Sequence, residues 1–436
     1  MRRLAIAFLL LLLALPASAG AAAKRTLAPG SWSYFGDPRA VYANGTTFVG
    51  WVTPDGDVQV ASLKDGEFHK RTLDYLGTDD HNNPSLYIRR DGKIVAFYTT
   101  HGTLQGPASE RHKMFWRITK NAYDIRSWGP VHFFRQNTAP VPGNGDRGFT
   151  YPNPVRIGNE VWLFWRGGSW WPTLSRTKDF QHWSKPINVV SSINGQRPYA
   201  KYDGDGENVY MAFTRAHPNS MTTGIWFLQI NKDGSVRKAD GTKVGELGHA
   251  VATNDADPVY RYTSSQGRAW VMDIAVDSEK RPVIVYYRRQ QEGGDTYRYA
   301  RWDGAHWVDR PIVSAGKPWH SSGYYQGGIT LDHEDPSVVY LSRRVPFDGQ
   351  YEVEVWTTAD NGATWESRAL TDGKRDMHWR PVSPRGLVDG VQVFWWSGKY
   401  VNFRDYDTDI VVGMKRAAMR RAAAKRAADA RARARR

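Results

Sequence analysis

The chain of 436 residues contains no cysteine. That excludes a disulfide scaffold, thiol catalysis and any zinc site built on thiolates. A membrane helix needs about 20 consecutive apolar residues; the unbroken apolar run Leu4–Leu15 has 12. No long amphipathic helix pattern occurs anywhere in the body. Acids are in deficit, with 44 Asp+Glu against 59 Lys+Arg and a formal charge of +15. Such an excess suggests a polyanion as partner, nucleic acid included. With 41% hydrophobic and 24% charged residues, wholesale disorder is excluded.

Part of the charge lies at the ends. Arg2 and Arg3 precede the apolar run, and Ala17-Ser18-Ala19 follows it. That is the layout of a secretory signal spanning 1–19. Export without disulfides suggests a bacterial periplasm or exterior. The segment 415–436 holds ten basic residues and the single acid Asp429. It reads as a solvated basic tail, with a tether for an anionic surface as the alternative. These ends carry +2 and +9, so the body carries only +4. Nucleic acid therefore drops out as the expected partner.

The body, 20–414, is rich in what the rest lacks. Short runs of Val, Ile, Tyr, Phe and Trp alternate with Asp-Gly and Asn-Gly turns, as at Asp91-Gly92 and Asp303-Gly304. This is the pattern of antiparallel strands in tight hairpins. The clusters fall near 31–63, 81–120, 149–188, 197–235, 269–309, 322–370 and 376–412. A period of about 40–50 residues with about four strands per unit is the arithmetic of a β-propeller. We expect one all-β domain, a seven-bladed β-propeller of four-stranded antiparallel blades, acting as a monomer. Thr358, Asp360, Gly362 and Trp365 fit an Asp-box turn, with a weaker echo at Thr177, Asp179 and Trp183. Its Trp should pack between blades.

Three successive units repeat one plan. A polar residue beside a proline opens the unit, a hairpin follows, and a basic residue stands where the second strand ends. The pairs are His81 with His101, Tyr151 with Arg166, and Arg197 and Tyr199 with His217. Propeller topology puts such positions at one funnel. His, Tyr and Arg without a paired carboxylate do not suit a glycosidase, which uses two carboxylates across the bond. They suit β-elimination at a uronate. That reaction needs a cation on the carboxylate, a base for the C5 proton and an acid for the leaving O4. Each residue taken alone also has a structural reading, as a core tyrosine or a hydrogen-bonded histidine.

The strings Asp79–Gly102, Phe149–Gly168 and Arg197–Pro218, with weaker stretches at 297–309 and 332–345, resemble the BNR-4 repeat family. More narrowly, they resemble seven-bladed propeller polysaccharide lyases of the ulvan-lyase type. The resemblance implies a secreted lyase for a uronate-containing anionic polysaccharide, sulfated ulvan-like polymers included. It implies catalytic roles for His81, His101, Tyr151 and Arg166. It puts Tyr199 and His217 at substrate-site positions; we expect Asn82, Asn83 and Arg197 to contact substrate beside them, with aromatic stacking by Trp165 and Tyr324. No cofactor is required, although Asp332, His333 and Asp335 are weak candidates for a structural divalent cation. Two rivals remain at this stage. A sialidase-type hydrolase would need a three-arginine clamp and a Tyr–Glu pair, and no Arg-Ile-Pro motif occurs near the N-terminus. A non-catalytic carbohydrate-binding propeller would need no His and Tyr pairs at consecutive blade mouths.

Overall fold

The computed structural model describes residues 23–414, except 103–106, 140–147, 194–195, 290–293, 321–322, 347–348, 374–375 and 387–390. The expected signal and basic tail lie outside the described residues. Seven antiparallel sheets follow one another along the chain. The first six blades span Ala40–Tyr75, Ser85–Phe134, Thr150–Asn188, Tyr199–Glu246, Arg268–Gly316 and Ile329–Ala369. Blades two and four carry extra strands beyond the four of the others. Among the described residues, helix is limited to three single 3-10 turns.

The seventh blade is built from both ends of the chain. His378–Val382, Val391–Asn402 and Asp405–Met414 form three strands, and Ala23–Pro29 supplies the outermost. Lys24 pairs with Gly413, and Pro29 with Asp409. The sequence reading counted the last cluster as a unit of its own and did not find this strand.

Burial follows radius. The inner strand Thr150–Ile157 is buried at every position but Arg156, whereas the outer strand Glu67–Tyr75 is mostly exposed. Aromatics fill the seams between blades, because a flat ring covers much area at small entropic cost. The Asp box shows the design. Thr358 Oγ1 accepts from Gly362 N at 2.8 Å, and Asp360 Oδ1 accepts from Thr364 N at 2.8 Å. That turn presents Trp365 edge-on to Tyr299 of the preceding blade, 5.3 Å between centroids. The echo at Thr177 and Asp179 does likewise, with Trp183 5.4 Å from Trp116 of blade two.

In two inner strands a break in register puts a large residue into a left-handed conformation at the mouth of the funnel. In blade three the shift lies between Thr150 and Asn153, and Tyr151 takes φ +62°. In blade seven it lies between Trp379 and Val382, and Arg380 takes φ +44°. A left-handed conformation in a bulky residue costs about 1–3 kcal/mol and is kept where surrounding contacts hold it. Both bulges turn a large side chain into the same cavity.

Candidate active site

The funnel encloses a cavity of about 450 Å³. His81, His101, Tyr151, Arg166, Arg197, Tyr199 and His217 all line it. The repeated plan read from three units therefore converges on one place.

His81 sits on a 3-10 turn just ahead of the inner strand of blade two, and His101 follows the next strand of that blade. Their rings stack with centroids 3.7 Å apart and planes 8° apart. Asp79 joins them. His81 Nδ1 donates to Asp79 Oδ1 at 2.7 Å, and His101 Nδ1 to Asp79 Oδ2 at 3.2 Å. His81 Nδ1 also stands 2.9 Å from Asp80 Oδ1. Two imidazolium charges at this separation would repel strongly in a buried site. Burial alone would lower both. At His81 the carboxylates of Asp79 and Asp80 outweigh it and push the ring up to about 9. At His101 burial and the charge on His81 win, and the ring is lowered to about 4. The pair thus holds one charge near neutrality, on His81. With Nδ1–H committed to Asp79, neutral His101 keeps a lone pair on Nε2.

Arg166 ends the second strand of blade three and is 5% exposed. Its Nε and Nη1 are buried without a hydrogen-bond partner among the described residues. The guanidinium lies over Tyr151 at 4.7 Å, Trp170 at 4.2 Å and Tyr199 at 5.1 Å. These rings hold it by cation–π attraction but supply no anion. Burial raises the Tyr151 hydroxyl well above its ordinary value, against the pull of Arg166, so it is a protonated acid. Burial, then the charges of Arg197 and Arg166, lower His217 to about 4. Its Nδ1 accepts from Asn219 N at 3.0 Å, which leaves Nε2–H to donate to Tyr325 Oη at 3.1 Å.

Other expected contacts belong to the scaffold. Asn82 is fully buried and its amide holds the carbonyls of Leu76 and Gly77. Asn83 accepts from Ser33 N and Oγ. Trp165 is 1% exposed, packs on Phe134 and Phe149, and donates to Asn137. Tyr324 lies outside the cavity, where its hydroxyl accepts from Arg268 and its ring meets Arg289. Its neighbour Tyr325 is the one that lines the funnel.

The weak cation site does not assemble. Asp332 and Asp335 accept from Glu334 N and Ser337 N in their own turn. His333 instead sits between Asp203 and Asp273, at 3.4 and 3.2 Å. Asp79, His81 and His101 do bring three ligand-type atoms within 4.8 Å of one another. The two Nδ1–H groups and the carboxylate already satisfy each other there, so we read them as proton partners.

A facing wall completes the cavity. Tyr34, Trp270, Trp319, Tyr325, Arg380 and Tyr400 come from the remaining blades and their connections. Asp80 is the one carboxylate among the described residues that line the cavity, and Arg380 and Tyr400 already occupy its Oδ2. Hydrolysis by two carboxylates across a glycosidic bond finds no second group among these described residues.

The sequence profile of the BNR repeat-containing family matches residues 46–315. The chain belongs to that family. Two ulvan lyases are similar to it. One, from Pseudoalteromonas sp. (strain PLSV), is 21% identical over 329 residues, 62% of this chain and 62% of its own length. The other, from Alteromonas sp. (strain LOR), is 21% identical over 382 residues, 74% of this chain and 73% of its own. A solved ulvan lyase of polysaccharide lyase family PL25, bound to -[GlcA(1-4)Rha3S]-, superposes with a TM-score of 0.69 at 16% identity. That match covers 91% of this chain and 96% of the other. The polysaccharide lyase Uly1 gives 0.55 at 11% identity, over 88% and 92%. At these identities the superpositions speak for the shared propeller. The matched segment 46–315 holds all seven converging residues; the blade-seven wall lies beyond it.

Proposed function

We propose that this chain is a secreted polysaccharide lyase that cuts a uronate-containing anionic polysaccharide by β-elimination. The observation that carries the reading is Arg166: a buried guanidinium, fixed on three rings, without an anion partner among the described residues. A charge so placed is costly unless a ligand pairs it. A uronate carboxylate fits its fork in bidentate fashion. Neutralising that carboxylate acidifies the C5 proton.

His101 then has the right state for the base, neutral and with Nε2 unprotonated. It takes the C5 proton. The C5–H electron pair becomes the C4–C5 π bond and the C4–O4 bond breaks. Tyr151, protonated, gives its proton to the leaving oxygen. His81 stays cationic and offsets negative charge that develops on the sugar. Arg197 and His217 face the neighbouring residue of the polymer, where a sulfate ester would meet Arg197. The chemistry uses side chains of the chain alone. The similarity to proteins named ulvan lyases supports this substrate class, and residues 1–19 support export.

The test is a screen of ulvan, glucuronan, alginate, pectin and glycosaminoglycans for the ultraviolet absorbance of a 4,5-unsaturated uronate. Activity on at least one uronate polymer, abolished in Arg166→Ala, is expected. New reducing ends without that absorbance would overturn the elimination.

A further inference from the structure

Asp80 is fully buried, and its two oxygens face different blades. Oδ1 stands 2.9 Å from His81 Nδ1 as an ion pair and makes no hydrogen bond among the described residues. Oδ2 accepts from Arg380 Nη1 at 2.7 Å and from Tyr400 Oη at 2.6 Å. Both donors belong to blade seven, some 300 residues away along the chain. We propose that Arg380 and Tyr400 are positioning residues for His81, acting through Asp80: they clamp one carboxylate oxygen so that the other meets the imidazole. This rests on the lyase reading for its catalytic meaning, though not for its geometry.

The clamp is itself held. Arg380 Nη1 also donates to Trp32 O at 2.6 Å, and Nη2 donates to Tyr400 Oη at 3.1 Å. Trp32 Nε1 returns a bond to Arg380 O at 3.0 Å. The guanidinium lies 3.9 Å over the Tyr34 ring and 4.8 Å over that of Tyr400. Its left-handed backbone is kept by a bond from Arg380 N to Gly327 O. Gly328, at φ +101°, leaves the room, since a Cβ there would stand 3.1 Å from Arg380 Cα. Strain kept on a non-glycine residue this heavily tied marks a side chain whose direction is fixed.

A buried carboxylate needs such partners. Without them it would take up a proton or turn away. The groups that face His81 are Asp79 and Asp80 on its own turn, His101 from the end of the next strand, and Tyr151 from blade three. Arg404 approaches Asp79 Oδ2 at 3.7 Å, and Phe403 packs on both imidazoles. Asp79 is shared with His101. Asp80 is the partner His81 does not share, so it decides which ring of the stack keeps the charge.

The test uses the full chain with Asp80→Asn, Tyr400→Phe, Arg380→Lys and Arg380→Gln. Histidine-selective NMR, with His81→Gln for assignment, follows the His81 titration without substrate. The pH profile of kcat is measured on a uronate oligosaccharide. Asp80→Asn should lower the His81 midpoint by a unit or more. It should also cut kcat on the order of 10–100-fold with KM little changed, as loss of a histidine's outer partner does at metal sites. Tyr400→Phe, the mildest change, should shift both in the same direction by less. Arg380→Lys should recover part of what Arg380→Gln loses. An unmoved His81 midpoint in Asp80→Asn and Tyr400→Phe would overturn the proposal, as would losses confined to KM. A midpoint shifted in these variants, with a wild type that eliminates no substrate, would keep the clamp and overturn the lyase reading instead.

Discussion

His81 and His101 lie face to face, 3.7 Å apart, with a single carboxylate, Asp79, bonded to both. They titrate as a unit with two steps, near 4 and near 9. Between the steps the pair carries one proton more than two neutral rings. That intermediate form is the one with both a base and a cation.

Activity should therefore follow a bell in pH. A broad plateau between about 4 and about 9 is expected for kcat/KM, which reports the free enzyme's groups. The acid limb reports loss of the His101 base, and the alkaline limb loss of the His81 charge. Asp79→Asn should shift both limbs toward acid, because its carboxylate raises both rings. Initial rates across pH, read by the absorbance of the unsaturated product, check this.

Stability should peak near the ordinary histidine value of 6.5. His81 and His333 are raised to about 9, so their stabilisation is complete below 6.5 and is lost as pH climbs toward 9. His101, His217 and His378 are lowered to about 4, so their contribution is present above 6.5 and is lost as pH falls toward 4. Thermal midpoints measured from pH 4 to 10 should trace a dome. A midpoint that keeps rising from 6.5 to 9 would contradict it.

Arg166 should not tolerate lysine. The fork, rather than the charge alone, matches a carboxylate. Arg166→Lys and Arg166→Ala should both cut kcat/KM on the order of 10²–10³-fold or more, the cost of one lost transition-state donor. Thermal unfolding of both should stay near wild type, because Arg166 Nε and Nη1 give up no hydrogen bond to the described residues.

Trp165 and Trp170 should separate cleanly. Trp165→Ala empties a fully packed seam and should destabilise by about 3–5 kcal/mol. Trp170, at φ +62°, lies under both Arg166 and Arg197 at 4.2 and 5.0 Å. Trp170→Ala should lower kcat/KM with a smaller stability change. Denaturant melts and kinetics on the same two variants decide it.

Lys201 tests the axis beneath the cavity. It is 2% exposed and donates to Asp37 Oδ2 at 2.6 Å and to Tyr34 O at 2.5 Å. Lys201→Met leaves Asp37 with Arg39 alone and should cost about 3–5 kcal/mol, as breaking a buried pair does. Equilibrium unfolding in urea reads that loss.

The legible part of this molecule was its repetition. Blade number, the Asp box and the meeting of His81, Tyr151, Arg166 and His217 all follow from strand period and a plan repeated in three units. What escaped depends on direction and distance. Asn82 and Asn83 stand beside His81 in sequence, but on a 3-10 turn neighbours point apart, so they serve the backbone. Tyr324 and Tyr325 differ by one residue in an irregular connection, where no period says which faces inward. Arg380 and Tyr400 meet Asp80 only once the ring closes, and no local pattern signals a pairing 300 residues long. His333 was grouped with acids adjacent in sequence, while its actual partners Asp203 and Asp273 come from two other blades.

The outer strand of blade seven, Ala23–Pro29, has a consequence for the order of assembly. It precedes every other described strand in the chain and must wait for Asp405–Met414 before its edge is covered. Contacts of such sequence separation make ring closure a late event in folding. Arg380 and Tyr400 arrive with that same blade. A chain cut short after blade six would thus retain Arg166, Tyr151 and both stacked histidines and still lack the clamp on Asp80. The ring's final hydrogen bonds and the tuned histidine pair would appear together, making the closing of the circle the step at which a folded body becomes a competent one.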